Sequence, residues 1–415
     1  MTYTGIDFEE MTQTTLRKPP IASEGLSGTN LVRAGEHNQR VILQAIRSNA
    51  SITRTELTAI TGLTPPAVAK ITNRLLEERL IQTSGKVLGS RGQPASKFVI
   101  SPQGAYALGL NIDRDHTTLV AMDFGGQVVD SCCMEGHFAL PHDVLSFVQA
   151  QIDRLKREKR FNMNRLAGIG IGIPDKLGDI PLPNKPAGYE IWSQIDVCEF
   201  FSEALALPAY IENDATAAAI GELHFGGGGS HQNFMFTLIS AGLGCGIIIG
   251  GQPYRGADGR SGEIAFIARD LFQSSHPGIV QDNLSLYSLY AFLAERGISA
   301  STPSDIKPDH PEHADAIEIW SKLAADELLG TVAVLNCALN PDSHIIGGRL
   351  PAAVIERICN RLNEQLALRL PQAPSVAQVR PAKAVEDAAP MGAAMLVFQN
   401  RYLPTPEVLM KTEYA

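Results

Sequence analysis

Tyr210-Ile-Glu-Asn-Asp-Ala-Thr-Ala-Ala-Ala-Ile-Gly-Glu222 runs from a short apolar strand into an alanine-rich helix, with the polar trio Glu212, Asn213 and Asp214 on the turn between them. Side chains at the carboxyl end of a strand point into the crevice where open α/β sheets bind ligands. An Asn amide beside a carboxylate supplies two donors and several acceptor sites, which suits the alternating hydroxyls of a sugar. The same residue types are favoured as helix caps. Taken alone, the trio leaves both readings open, and the rest of the chain has to decide between them.

A length of 415 residues predicts two or three domains. There is no run of 18 apolar residues, and Met1 to Gly28 lacks the apolar core of a secretory signal, so a cytoplasmic, nucleoid-associated protein is expected. Six cysteines without Cys-x-x-Cys spacing read as reduced thiols. The net charge of −9 is unevenly distributed: residues 31–100 carry +6 and the remainder −15. A basic head on an acidic body can bind DNA locally while the body stays soluble.

The head reads as follows. Residues 1–30 are polar, contain Pro19-Pro20 and form an arm without periodicity. Helical spacing predicts a first helix over His37 to Arg47 and a second over Arg54 to Thr61, with Ser51 or Thr53 as its cap. Gly62-Leu63 breaks that helix, and Thr64 is expected to cap a third that begins at Pro65-Pro66. Helix, short helix, glycine turn, helix is the order of a helix-turn-helix. The apolar stripe of the third helix leaves Thr64, Lys70, Asn73 and Arg74 more exposed, and such side chains can reach base edges or phosphates. Leu80 to Val87 and Lys97 to Ile100 predict a hairpin, with Ser90-Arg-Gly-Gln-Pro94 as a basic wing tip that offers Arg91 to a phosphate or the minor groove. A basic three-helix bundle without DNA function is the bland alternative, and the charge segregation and the wing argue against it.

In the body, strand-like runs at 105–112, 117–122 and 126–130 precede a helix at 142–156 and a glycine-rich strand at 166–173. A similar half starts near Asn233, and further helices are expected at 282–295, 314–339 and 352–368, with a strand at 343–346. Two α/β lobes with a cleft between them are the natural summary.

On these residues the chain resembles the ROK family of repressors and sugar kinases, from about residue 27 to 400. Gly28-Thr-Asn-Leu, His37-Asn-Gln-Arg, Arg54-Thr-Glu-Leu, Thr61-Gly-Leu-Thr and Arg91-Gly-Gln-Pro resemble its repressor branch. In the body, Leu182-Pro-Asn-Lys-Pro-Ala-Gly-Tyr, the 211–219 stretch, Tyr254-Arg-Gly-Ala-Asp-Gly-Arg-Ser-Gly-Glu-Ile264 and Ile345-Ile-Gly-Gly-Arg-Leu350 stand in the family's order. The resemblance implies an α/β bilobal, actin-like (ribonuclease H-like) ligand domain behind a winged helix-turn-helix. It implies an arm at 1–30, a DNA-binding domain at 31–100, a first lobe at 101–215 with a returning helix at 389–400, and a second lobe at 216–388 that serves oligomerisation. It also implies that Asn184, Asn213, Asp214 and Glu263 hydrogen-bond sugar hydroxyls, with Arg54, Thr64, Lys70, Asn73, Arg74 and Arg91 facing DNA. In kinase members the aspartate at the position of Asp214 is the general base.

The chain departs from the family in two places. Kinases carry an Asp-x-Gly-Gly-Thr turn, where glycine lets the backbone approach ATP phosphates closely. Here the turn is Asn111-Ile-Asp-Arg-Asp-His116, and Asp113 and Asp115 would repel a polyphosphate, although Gly242-Leu-Gly-Cys-Gly246 still resembles the second phosphate turn. Secondly, Gly262-Glu-Ile-Ala-Phe266 lacks the usual Gly-His, no cysteine lies in 267–300, and His276 reads as a loop residue, so no zinc is expected. Phe266 in place of histidine also removes a polar contact to the ligand. The expectation is a non-enzymatic, cofactor-free, sugar-responsive repressor of carbohydrate-utilisation genes. It would bind a pseudo-palindromic operator in double-stranded DNA as a homodimer or homotetramer. The alternatives are a sugar kinase with a DNA-binding head and a regulator with a vestigial cleft controlled by a partner protein.

Overall fold

The computed structural model describes residues 31–87, 95–136, 138–179, 185–226, 231–272, 277–384 and 388–404. Three helices, α1 (Leu31–Arg47), α2 (Arg54–Thr61) and α3 (Pro65–Glu77), pack against a sheet of order β1-β3-β2, formed by β1 (Ile52–Thr53), β2 (Ile81–Val87) and β3 (Ala95–Ile100). Thr53 and Glu56 close a reciprocal capping box on α2, in which Thr53 N–H donates to Glu56 Oε2 at 2.7 Å and Glu56 N–H to Thr53 Oγ1 at 3.3 Å. Gly62 ends α2 in the left-handed region with φ 69°.

The body contains two five-stranded sheets of the same topology. The first has the order β6-β5-β4-β7-β8 and comprises β4 (Tyr106–Ile112), β5 (His116–Asp123), β6 (Val128–Glu135), β7 (Leu166–Ile173) and β8 (Ala209–Asn213). The second has the order β11-β10-β9-β12-β13 and comprises β9 (Phe234–Ile239), β10 (Leu243–Ile249), β11 (Gln252–Pro253), β12 (Ser343–Gly348) and β13 (Gln378–Pro381). In each, antiparallel strands are followed by parallel ones, so both lobes present the carboxyl ends of their parallel strands to a shared crevice. Helices α4 (Pro141–Glu158) and α5 (Val197–Leu205) belong to the first half, and α7 (Leu286–Ala294), α8 (Pro311–Leu339) and α9 (Ala352–Arg369) to the second.

Helices α6 (Asp214–Phe225) and α10 (Ala388–Tyr402) cross between them. The crossing is built on glycine. A Cβ on Gly392 would lie 1.7 Å from the Ala217 carbonyl oxygen, one on Gly221 2.0 Å from that of Ala388, and one on Gly170 of β7 1.8 Å from that of Ala393. Every obstructing atom is backbone, so no side-chain rotation relieves the clash. The expected division at 215/216 falls inside α6, which packs on β9 and β10 as well as on α10.

The head shares one apolar core with the first lobe and α10. Ile42, Leu57, Val68 and Phe98 are continuous with Phe124, Met395 and Phe398, and Phe124 packs edge-on to Phe398 and Tyr402 at 5.2 and 5.0 Å between ring centroids. Arg40 Nη1 of α1 donates to the carbonyls of Asn400 and Leu403 at 2.8 and 3.1 Å, at the C-terminal end of α10. Arg165 of the first lobe donates to the carbonyl of Glu78, the C-cap of α3, at 2.9 Å. Head and body thus each cap a helix of the other with a cation at its negative end.

Several details differ from the expectations. Helix α1 begins at Leu31, six residues earlier. Thr64 occupies the N-cap position of α3 but its side chain makes no capping bond; Pro65 and Pro66 carry no N–H, which leaves Ala67 as the first donor of the helix. Helix α7 begins at Leu286 rather than 282, because Ser285 caps it and Asp282 instead accepts from Ile279 N–H at 2.9 Å. Strand β6 runs to Glu135, and its partly polar exposed face hid the second half of the strand. Glu212 and Asn213 end β8 and Asp214 opens α6, with no intervening turn.

Gly392→Ala is expected to destabilise the protein by about 1–3 kcal/mol or more, since backbone must move. Gly35→Ala, at an exposed position in α1 with open space around the new methyl, should be neutral or stabilising by about 0.5–1 kcal/mol. Urea unfolding of the two variants beside the parent checks both.

Candidate ligand-binding and DNA-binding sites

A cavity of about 440 Å³ opens between the two sheets. Asn213 and Asp214 reach it from the β8–α6 junction and Glu263 from the opposite lobe. Asn184 lies outside the described residues. Gly262 sets Glu263 in place: its φ of 85° is left-handed, and a Cβ there would lie 1.8 Å from the Cys245 carbonyl oxygen, so only glycine lets this loop lie on β10. Phe266 is largely exposed and lines the same cavity.

The opening question of cap or site is answered by geometry that permits both. Asn213 Oδ1 accepts from Thr216 N–H at 3.1 Å as the N-cap of α6, and Asp214 Oδ1 accepts from Ala215 N–H at 2.8 Å. Each side chain still lines the cavity. Glu212 is engaged otherwise, its Oε2 receiving Arg255 Nη2 at 2.6 Å and Nε at 3.0 Å from the second lobe.

At the same edge of the first sheet as Asp214 stands the turn Asp113–His116, which is almost wholly buried. Ser240 Oγ of the second lobe donates to Asp113 Oδ2 at 2.5 Å, and Arg114 N–H donates to Asp113 Oδ1 at 2.7 Å. Asp115 bonds His116 Nδ1 at 2.7 Å and accepts from Arg349 Nη1 of the second lobe at 3.1 Å, and Arg349 also pairs with Glu135 at 2.5 Å. Burial opposes ionisation of Asp115, but the bond from His116 and the charge of Arg349 hold its carboxyl below the usual carboxylate range. The two carboxylates of the turn therefore tie the lobes together. Asp113, Asp115 and His116 are also the one group among the described residues whose ligand atoms could surround a metal, and those atoms already have these protein partners.

Burial, followed by the charge of Asp113, pushes the Asp214 carboxyl up to about 7. Glu263 is also raised, by burial, by the charge of Asp175 and by a hydrogen bond with it. Near neutrality the site can thus both donate to and accept from hydroxyl groups. From sequence, Asn213, Asp214 and Glu263 were named, whereas Asp175, Lys176, Ser240, Arg260 and Gln281 of the lining were not. Asp175 and Lys176 follow directly on β7 at the carboxyl edge of a parallel strand, which was the available signal.

In the head, Thr64, Lys70, Asn73 and Arg74 lie exposed on or next to α3. Arg74 pairs with Glu78 at 2.7 Å, an exposed pair that contributes little and can exchange for phosphate. Arg54 is employed internally: its Nε donates to Thr72 Oγ1 at 2.8 Å, its Nη2 to Asn73 Oδ1 at 2.6 Å, and its guanidinium lies over the Phe98 ring at 5.3 Å. It fastens α3 to α2 and to the sheet. Arg91 lies outside the described residues, as does His276.

The fold and the site define a bilobal ligand domain carrying a winged helix. The ROK family model matches residues 107–400, and a winged helix-turn-helix DNA-binding model matches 36–82. The chain belongs to the ROK family. It is 29% identical over 266 residues to the xylose repressor of Bacillus spizizenii, covering 61% of this chain and 65% of that protein. The crystal structure of a ROK family transcriptional regulator, a homologue of the Escherichia coli MLC protein, superposes with a TM-score of 0.64 at 21% identity, covering 89% of this chain and 97% of that one. A ROK family glucokinase from Streptomyces griseus, solved with glucose and AMPPNP, superposes with a TM-score of 0.57 at 20% identity over 71% of this chain and 100% of that one. Both structures share the fold. Among the described residues no helix is long and apolar enough to cross a membrane.

Because the folded-state pKa of Asp214 lies above its unfolded value, its contribution is fully present below about pH 4 and is lost as pH rises through about 7. Asp214→Asn removes that loss. The variant should gain stability relative to the parent as pH goes from 5 to 8, by a difference on the order of 1–4 kcal/mol. Chemical denaturation at a series of pH values measures it, and a pH-independent difference would contradict the assignment.

Proposed function

We propose that the chain is a sugar-responsive DNA-binding repressor in which a ligand between the lobes changes operator affinity. The observation that carries this reading is that Asn213, Asp214 and Glu263 converge on one cavity while the helix that starts at Asp214 packs on α10, whose far end carries the head. Its family relatives include a xylose repressor, which supports carbohydrate-utilisation genes as the regulated class.

The mechanism is a population shift. A ligand that binds one arrangement of the lobes better than the other biases the α6–α10 crossing, and a bias of about 1–3 kcal/mol gives roughly 5–150-fold release. Arg40 and Arg165 carry the movement to α1 and to α3. In a dimer or tetramer on a pseudo-palindromic operator, re-aiming two heads breaks the half-site spacing.

Phosphoryl transfer is disfavoured. It needs a cradle of free amides and charge neutralisation around the phosphates. Here Ser240 closes on Asp113, and Leu243 N–H donates to Gln281 Oε1 at 3.1 Å, so neither group is left free to cradle a phosphate. We infer that Asp214 holds a ligand hydroxyl without deprotonating it for attack.

DNA selected from a random pool by the full chain, followed by anisotropy titrations with and without a panel of monosaccharides, sugar acids and sugar phosphates, tests the reading. Lys70→Ala and Arg74→Ala should each weaken binding and, where the lost contact is to phosphate, flatten the salt slope by about 1. Asp214→Ala should bind DNA but no longer be released. Turnover of ATP with any sugar, abolished by Asp214→Asn, would overturn the reading in favour of a kinase.

A further inference from the structure

One buried charge of the cavity is left unused by the sugar contacts proposed above. Arg114 lines the cavity from the middle of the buried turn, is 3% exposed, and its Nε and Nη1 have no hydrogen-bond partner among the described residues. The carboxylates that flank it in the turn are already engaged, Asp113 by Ser240 and the Arg114 main chain, and Asp115 by His116 and Arg349. Lys176 and Arg260, the other cations of the lining, are both exposed. Buried charged donors without acceptors are costly, and a planar guanidinium is shaped for two oxygens of one anion.

The surroundings are fitted to this side chain. A Cβ on Gly242 would stand 2.5 Å from Arg114 Nη1 and 3.2 Å from Nη2, so glycine at 242 makes room for the guanidinium. Asp214, which follows directly on β8 in the same lobe, has its carboxyl pushed up to about 7 by burial and by the charge of Asp113, which reduces repulsion of a second negative group.

We propose that Arg114 forms an anion subsite, so that the effector is a sugar bearing a carboxylate or a phosphate rather than a neutral sugar. The hydroxyls of such a ligand lie toward Asn213, Asp214 and Glu263, and its anionic oxygens face Arg114. This rests on the sugar-sensing reading of the same cavity and narrows it to a ligand class. Sugar acids and sugar phosphates share the required chemistry, and they are separated by experiment.

The test uses matched probes on the full chain, with dissociation constants from calorimetry: glucose, glucuronate and glucose 6-phosphate, and xylose with xylonate. The expected result is that at least one anionic member binds about tenfold to a hundredfold tighter than its neutral counterpart, and that this ratio collapses in Arg114→Ala and is partly kept in Arg114→Lys. The ratio is measured on one preparation, so incomplete folding of a variant does not mimic the effect. Preference for glucuronate or xylonate identifies a carboxylate, and preference for glucose 6-phosphate a phosphate. Equal or tighter binding of the neutral sugars, or a ratio that survives in Arg114→Ala, overturns the anion subsite and leaves the sugar-sensing reading intact. If no probe binds, both fall together.

Discussion

The backbone of α10 lies directly on α6 and on the first sheet, and the rest of the body depends on that contact. At Gly170, Gly221 and Gly392 the space for a methyl group is filled by carbonyl oxygen. Interiors are close-packed and transmit strain because they have little free volume to absorb it. A crossing without side chains has less still, so α6 and α10 move together or separate, and no rotamer change lets one slide past the other.

That rigidity gives the ends of the two helices their meaning. α6 begins at the cavity with Asn213 and Asp214, and it ends beside Glu222, a fully buried carboxylate that accepts from the N–H groups of Lys383 and Ala384 at 3.0 Å and pairs with Arg380. α10 ends in the carbonyls that Arg40 caps. Arg47 is half-buried at the same interface, where it donates to the Phe124 carbonyl at 3.4 Å, and desolvation pulls its guanidinium down to about 10. A cation that costs this much to bury is expensive to remove from its acceptors, so the junction of head and body resists loosening. Under the proposed mechanism, a change in how the lobes meet is passed on as rotation of the head, not absorbed at a hinge.

Much of this was legible in the chain. Helices α2 and α3 stand where Thr53, Gly62 and Pro65-Pro66 punctuate the sequence, because caps and prolines act locally. The strands at 106–112 and 166–173 were readable as apolar runs, whereas β1 and β13, of two and four residues, are too short for any period to show. At the site, strand-end position identified Asn213 and Asp214, and family order identified Glu263. The fate of Arg54 was not readable: its exposure depends on Thr72 and Phe98, which only the folded head brings beside it. Nor was the role of Asp113 and Asp115, whose partners Ser240 and Arg349 lie 127 and 234 residues away.

Those two aspartates alter what the departure from the kinase turn means. As a sequence, Asn111 to His116 reads as a loss, since glycines that admit phosphate are gone. In the fold the replacements have partners on the far lobe, and together with Glu212–Arg255 they bridge the crevice on two sides. A kinase has to open and close with each turnover, so ties of this kind would work against it. A sensor needs only two arrangements differing by a few kcal/mol, and hydrogen-bonded pairs across a crevice are suited to define one of them. In the proposed sensor this turn sets how firmly the lobes hold each other, and a ligand that reaches Arg114 and Asp214 of the first lobe and Glu263 of the second acts on both walls of that same closure.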